Sequence, residues 1–235
     1  MKGGNRLNII KLDVTPSTST YARENASSLP LPSLIIADKQ TAGRGRRGNS
    51  FYSPEKTGLY MTLLFEVANP IPLITPAAAV TICRVIEEKF KLEPKIKWVN
   101  DIFLNDKKIC GILSECFTAN SKTLISLGIG INLTTKDFPE NLPNAGSLGI
   151  NCEKENLAKD IACGILEYIS NPDDKTILMQ YKQRLFVIGK TIEFSENNIL
   201  YSATVKGINN ECNLVVELPD NSEKTLNSGE ISIIM

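Results

Sequence analysis

The chain has 235 residues and no histidine. That absence removes Ser-His-Asp and Cys-His triads, HExxH zinc sites and every mechanism that moves protons through imidazole. Net charge is missing as well, because 26 Lys+Arg balance 26 Asp+Glu. Such a balance argues against a protein whose main role is to coat DNA or an anionic membrane. The six cysteines, Cys83, Cys110, Cys116, Cys152, Cys163 and Cys212, include no CxxC pair. With no histidine to complete a tetrahedral site, no metal site is expected. The cysteines read as reduced thiols of a cytoplasmic protein, most of them behaving as small buried hydrophobes. The N-terminal stretch MKGGNRLNIIKLDV has no signal-peptide apolar region, and no apolar run approaches the ~20 residues that cross a bilayer. Internal repeats and low-complexity tracts are absent too. What is present is an ordinary globular composition, 42% apolar and 22% charged. Its chemistry must run on lysine, arginine, carboxylates, hydroxyls and backbone.

Along the chain, residues 7–12 read as a short strand, and the Ser17-Thr18-Ser19-Thr20 cluster as a helix start. A second apolar strand covers 34–37, and a loop of about twenty residues precedes strand character over 59–65; a loop that long inside a compact domain is usually functional or disordered. Thr75-Pro76 is a cap-plus-N1 pair, with Ala79, Ile82, Ile86 and Phe90 at helical spacing to about Lys91. Strands over 96–104, 108–117 and 124–133, turned at Asn105-Asp106 and Asn120-Ser121, form an expected antiparallel meander. Asn151 is placed to cap a helix striped by Leu157, Ile161, Ile165 and Ile169, and ended by Asn171-Pro172. A further helix runs from about 173 to 188 and stops at Gly189. Beyond it, strand-like pieces at 191–194, 201–208, 213–218 and 230–234 alternate with turns, which suits a small β-barrel. The expected division is 1–187 and 188–235.

Gly43-Arg44-Gly45-Arg46-Arg47-Gly48 satisfies GxGxxG and nearly satisfies a P-loop. Both motifs need a helix to open directly after the loop, so that its N-terminus meets phosphate. Asn49-Ser50-Phe51-Tyr52-Ser53-Pro54 is poor helix material, and Asn49 stands where the P-loop lysine belongs. What remains is a flexible backbone carrying three guanidiniums, able to bring main-chain N–H groups and arginine forks to phosphate or carboxylate oxygens. A solvated basic loop and an RGG-like RNA contact are the alternatives.

The 124–133 strand alternates sharply. Ile125, Leu127, Ile129, Ile131 and Leu133 lie on one face; Ser126, Gly128, Gly130 and Asn132 lie on the other. Two glycines weaken a strand, so something approaches the backbone on that face. Close packing by a crossing helix is one candidate, and Asn132 at the end of the row favours a ligand. Lys97-Trp98-Val99-Asn100-Asp101 compresses a cation, an amide and a carboxylate into a strand boundary, with Lys97, Val99 and Asp101 expected on one side. Lys108 follows across a tight turn. Together with the arginine loop, these groups are equipment for a nucleotide triphosphate with magnesium.

At these residues the chain resembles biotin protein ligases. The matching stretches run in order through Ser17-Thr18, Gln40-Thr41-Ala42-Gly43-Arg44-Gly45-Arg46-Arg47-Gly48, Lys97-Trp98-Val99-Asn100-Asp101, Lys107-Lys108-Ile109-Cys110-Gly111-Ile112-Leu113-Ser114-Glu115 and Gly128-Ile129-Gly130-Ile131-Asn132. Ser228-Gly229-Glu230 resembles part of that family's small C-terminal barrel. The resemblance implies an α+β fold: a mixed sheet with helices, related to class II aminoacyl-tRNA synthetases, followed by an SH3-like β-barrel. It implies ATP-dependent activation of biotin to biotinyl-5′-AMP, with Mg²⁺ accompanying ATP, and transfer to a lysine of a biotin carboxyl carrier protein domain. Ser17, Thr18, Ser19 and Gln40 then belong to the biotin pocket, with Gly128 at its floor. Gly43, Arg44, Gly45 and Arg46 belong to the loop that closes over biotin and adenylate, and Lys108 lies near the biotin carboxylate and α-phosphate. Arg46, Arg47, Phe51, Lys97, Asn100, Asp101, Lys108, Gly130 and Asn132 face the nucleotide. Arg44, Arg46 and Lys108 carry the catalytic burden.

The family usually reads Asn where Ser19 stands, proline where Val99 stands, and Asp-Gly where Asn210-Glu211 stands. The length leaves no room for a preceding helix-turn-helix, so the resemblance is to the monofunctional class, with no DNA and no membrane among the expected partners. Related ligases often self-associate, which leaves a homodimer among the expectations. Lipoate protein ligase and a non-catalytic nucleotide- or RNA-binding module are the competing readings.

Overall fold

The structure is a computed structural model that describes residues 6–197, 199–227, 229 and 231–233. Ser228 and Glu230 lie outside the described residues. Elements β1 (Asn8–Thr15), α1 (Thr18–Glu24), β2 (Ser33–Gln40), β3 (Gly58–Glu66), α2 (Ile74–Phe90), β4 (Lys95–Lys97), β5 (Asp101–Leu104), β6 (Lys107–Ala119) and β7 (Lys122–Asn132) come first. They are followed by α3 (Lys154–Ser170), α4 (Asp174–Arg184), β8 (Thr191–Glu196), β9 (Ile199–Ile208), β10 (Leu214–Glu217), β11 (Glu223–Leu226) and β12 (Ile231–Ile233). One seven-stranded sheet has the order β1-β2-β3-β7-β6-β5-β4, and a five-stranded sheet the order β11-β10-β9-β8-β12. The first is mixed, since β1 runs parallel to β2 while the other pairs are antiparallel. The second is antiparallel throughout and is the SH3-like unit.

Alternation along the strands sorts side chains to two unlike faces. Leu34, Leu63, Ile125, Leu127, Ile129 and Ile131 face α2, α3 and α4 and join one large core. Ile35, Leu64 and Leu124 face the other way and pack with Ala22 and Ala26 of the α1 region. The α1 helix has seven residues, about 10 Å of helix at 1.5 Å per residue, so it covers only part of its sheet face. The uncovered part is the floor of a cavity. The large core also runs into the second sheet through Ile192, Phe194, Val205, Cys212 and Leu214. Trp98 Nε1–H donates to the Cys212 carbonyl at 2.8 Å, and Tyr181 Oη–H to the Val99 carbonyl at 3.1 Å. The turn between β4 and β5 is thereby held between α4 and the C-terminal sheet.

Several expected boundaries move. The β4 and β5 strands pair antiparallel, with Lys97 opposite Asp101, so the segment is a hairpin and a single alternation across Lys97, Val99 and Asp101 does not apply. The α2 helix starts at Ile74 rather than after Thr75, and Pro76 sits in its first turn, where a missing N–H has no intrahelical partner to lose. Asn151 is not a cap, because α3 begins at Lys154 after Glu153. The α4 helix ends at Arg184, with Leu185 as its C-cap; Leu185 bridges in parallel to Ile96 instead. The β11 strand lies outside the four expected C-terminal pieces. Of the six thiols, Cys83, Cys110 and Cys212 are buried, whereas Cys116 and Cys163 are exposed. No described helix is long and apolar enough to cross a membrane.

Candidate active site

A cavity of about 480 Å³ opens on the α1 face of the large sheet, within the size range of small-molecule sites. Ser17, Thr18, Ser19, Gln40, Arg44, Gly45, Arg46, Phe51, Lys97, Asn100, Asp101, Lys108, Gly128 and Gly130 all line it. These residues come from segments up to 113 positions apart, from Ser17 to Gly130. Three expected residues do not line it. Gly43 is buried beneath the loop, where a Cβ would lie 2.4 Å from the Phe51 carbonyl oxygen and 2.7 Å from Ser53 Oγ. Arg47 turns to a second hollow beside Phe194 and Thr225. Asn132 is buried and donates from Nδ2 to the Gly146 carbonyl at 2.9 Å.

One end of the cavity is neutral and hydroxyl-rich. Ser17 caps α1, its Oγ accepting from the Ser19 N–H at 3.2 Å, which satisfies one of the unpaired amides at a helix start. Gln40 Oε1 accepts from the Thr18 N–H at 2.9 Å and from the Thr18 hydroxyl at 3.2 Å. Gln40 Nε2 donates to Ser53 Oγ at 2.8 Å, and Ser53 donates to the Phe51 carbonyl at 2.9 Å. Below them, buried Thr62 on β3 donates to Thr18 Oγ1 at 2.8 Å and lies 3.2 Å from Ser19 Oγ.

The glycine-backed face of β7 is filled by the crossing helix at Gly128, as one of its expected readings has it, and by a loop aromatic at Gly130. At Gly128 a Cβ would come 2.5 Å from Ser19 Oγ, so the crossing helix uses that space. At Gly130 a Cβ would come 2.5 Å from the Phe51 ring, which also borders Gly111. Gly111 and Gly130 are cross-strand partners. They make a side-chain-free patch against which the Phe51 ring packs, braced edge-on by Tyr60 at 6.5 Å between ring centres. Burial pushes the Tyr60 phenol up to about 12, so its 2.9 Å bond to the Pro54 carbonyl persists through the neutral range and holds the far end of the loop.

The other end is ionic. Lys108 Nζ lies 2.7 Å from Asp101 Oδ1 as an ion pair, although no hydrogen-bond partner is aligned with that oxygen. Arg46 Nη1 donates to Asn100 Oδ1 at 3.0 Å and reaches the Gly229 carbonyl at 3.5 Å. Asn100 is itself clamped to Ile112 by two bonds of 3.0 Å. Arg44 forms a fork with both carboxylate oxygens of Glu115 at 2.8 Å each, and Arg23 approaches the same carboxylate at 3.7 Å. Lys97 lies 6.0 Å from the centre of the Phe103 ring. The loop from Arg46 to Gly48 makes one 3₁₀ turn and then continues extended. No helix N-terminus follows it, and neither a dinucleotide-binding nor a P-loop geometry forms.

Four features escaped the sequence. Thr62 was hidden in an apolar run, although it shares a face with Gly128, its cross-strand partner; period-two reading of β3 would have found it. Ser53 carries no local signature, and Glu115, though it ends a matching stretch, gives no sign in the sequence that it pairs with Arg44. Gly229, Ile231 and Ser232 line the cavity from the C-terminal sheet, which no local pattern announces.

The family model described as "Biotin/lipoate A/B protein ligase family" matches residues 12–132, and "Biotin protein ligase C terminal domain" matches residues 187–233. The bifunctional ligase/repressor BirA of Bacillus subtilis is 34% identical over 168 residues, covering 68% of this chain and 51% of its own length. The biotin--[acetyl-CoA-carboxylase] ligase of Mycobacterium tuberculosis is 25% identical over 177 residues, covering 68% of this chain and 63% of its own. The chain therefore aligns with about half the length of the first curated relatives it matches. Among solved structures, biotin protein ligase from Aquifex aeolicus in complex with biotin and ATP superposes with a TM-score of 0.81 at 23% identity, covering 97% of this chain and 98% of the other. That likeness is one of fold.

Proposed function

The chain belongs to the biotin/lipoate A/B protein ligase family, and from that premise we propose that it is a biotin–protein ligase. In this reading it joins biotin to AMP at the expense of ATP, then passes the biotinyl group to a lysine of a biotin carboxyl carrier domain. The observation that carries the proposal is the polarity of the cavity: a neutral hydroxyl-and-amide end faces an end bearing Arg46, Lys97 and Lys108. A ligand with an uncharged polar head and an anionic tail fits that order. Residues 1–187 form the catalytic unit in this proposal and residues 188–235 the small C-terminal unit.

In the first step the biotin carboxylate attacks the α-phosphorus and pyrophosphate leaves. The nucleophile is already ionised at neutral pH, so a chain without histidine lacks nothing. The task is to hold two anions together and to neutralise charge at the transferring phosphorus. Lys108 is assigned to the biotin carboxylate and α-phosphate, and Arg44 and Arg46 to the loop over the intermediate. Lys97, Asn100, Asp101, Phe51 and Gly130 are assigned to the nucleotide. Ser17, Thr18, Ser19, Gln40 and Gly128 hold biotin's ring end. Among the described residues no cluster of three acidic, cysteine or histidine side chains forms. Asp101 is the carboxylate that lines the cavity among the described residues, and Mg²⁺ bound with the nucleotide there would supply charge neutralisation. In the second step the acceptor amine displaces AMP, and water must be excluded from the mixed anhydride.

ATP–pyrophosphate exchange measured with biotin, with lipoate and with neither tests the proposal. Biotin-dependent exchange is expected. Exchange with lipoate alone would make the chain a lipoate ligase, and none with either would leave a nucleotide-binding module.

A further inference from the structure

The hydrogen bonds at the neutral end have only one consistent direction, because backbone groups anchor both ends of the chain. The Thr18 N–H can only donate, so Gln40 must present Oε1 to it and Nε2 to Ser53. The Phe51 carbonyl can only accept, so Ser53 donates to it and accepts from Gln40. A hydroxyl has one proton and two lone pairs. The Thr18 proton is committed to Gln40 Oε1, so Thr18 accepts from Thr62. The Thr62 proton is then spent, and the 3.2 Å contact with Ser19 requires Ser19 to be the donor. Ser19 and Thr18 are left offering lone pairs to the cavity. Ser17 is the complement: its Oγ already accepts from the Ser19 amide, and its own proton is free to donate.

We propose that Thr62, which does not itself line the cavity, is a positioning residue that fixes this proton order and so selects the head group. The selected group carries N–H donors beside a single carbonyl, as a cyclic urea does. A dithiolane ring has no N–H to give Thr18 and Ser19 and no carbonyl for Ser17, and its sulfurs are weak acceptors. Filling the site with it strands the polar groups without partners, which is how hydrogen-bonding sites reject analogues. Thr62 is fully buried, so water does not replace its hydroxyl. Gly128, opposite Thr62 on β7, leaves the space that Ser19 Oγ needs to reach it.

The inference rests on the proposed biotin reading. The test is Thr62→Val, which keeps the shape and removes the hydroxyl, beside Thr62→Ser, which keeps the hydroxyl. Biotin and ATP KM and kcat are read in pyrophosphate exchange, with the thermal midpoint as a folding control. Thr62→Val is expected to raise the biotin KM by roughly ten-fold or more, with ATP KM and midpoint little changed, and Thr62→Ser to restore biotin KM. An unchanged biotin KM in Thr62→Val overturns the inference while leaving the biotin reading intact. Equal damage in both variants, or a parallel rise in ATP KM, also overturns it, since either marks a merely structural role. Absence of biotin-dependent exchange in the unmodified protein removes the biotin reading itself, and the inference with it.

Discussion

The two ends of the cavity are built on opposite principles. At the neutral end, Thr62 is fully buried and Ser17, Thr18 and Ser19 are at most 4% exposed, and their order is dictated by backbone groups that cannot reverse. At the ionic end, Arg44 is 40% exposed and Lys108 37%, and each is held by a carboxylate that an anionic ligand would replace. Partly exposed ion pairs contribute about 0–1 kcal/mol each, so exchanging them for a ligand's charges is easy. A buried hydroxyl left without its partner loses about 1–3 kcal/mol. Recognition is therefore pre-set at one end and assembled on binding at the other.

Four variants and conditions would break or sharpen that contrast. The largest effect is expected from Lys108→Ala: pyrophosphate exchange should fall by roughly a hundred-fold or more, mainly in kcat. A normal rate would dismiss Lys108 from the chemistry. Next is Gly128→Ala, whose methyl displaces Ser19 Oγ from Thr62; biotin KM should rise by about ten-fold while ATP KM stays level. Equal shifts in both constants would dissolve the distinction between the two ends. Glu115→Gln should act more mildly, through loss of the charge that holds Arg44. Tryptic cleavage within residues 43–48 of the free protein should quicken by a few-fold, and ligands should suppress it. No change in cleavage would mean that the ion pair does not tether the loop.

The smallest effect concerns pH. No side chain among Ser17, Thr18, Ser19, Gln40 and Thr62 titrates in the neutral range, so biotin binding should be flat from about pH 6 to 9 once the ligand's carboxylate is ionised. Tyr60 extends the same logic to stability. Its folded value of about 12 lies above the ordinary 10.0, so its contribution is fully present below pH 10.0 and fades as pH rises toward 12. Burial raises the Cys83 and Cys212 thiols from 9.0 to about 12 in the same sense, so thermal midpoints measured upward from neutrality should hold to about pH 9 and then decline toward 12. A decline that begins near pH 8 would belong to another group.

Legibility in the sequence followed the range of the interaction. Strand β7 was readable because its alternation is local, and Gly128 and Gly130 pointed to a close approach before its partners were known. The arginine loop was correctly denied a following helix, since Asn49 to Pro54 lacks helix formers. Boundaries failed where distant contacts decide. Residues 98–100 turn back because Trp98 and Val99 are gripped by Cys212 and Tyr181; the end of α4 gives way to a bridge with Ile96. The expected starts, two residues late at Thr75 and two early at Asn151, followed cap preferences, which are worth about 1 kcal/mol. Burial of Ile74 and Leu157 involves comparable or larger energies.

By composition and pattern alone, the sequence determined that this protein works without imidazole, that one sheet face is apolar and the next glycine-backed, and that cations gather around a flexible loop. Those are properties of neighbours within a few residues, where side-chain period and glycine content act directly. Only the tertiary structure decided that Thr62 lies under Ser19, that Glu115 holds Arg44, and that Gly229 and Ile231 close the cavity from a second sheet. Strand register and sheet packing bring those groups together. A hydrogen-bond chain acquires a direction only when both its ends meet backbone atoms fixed by the whole fold.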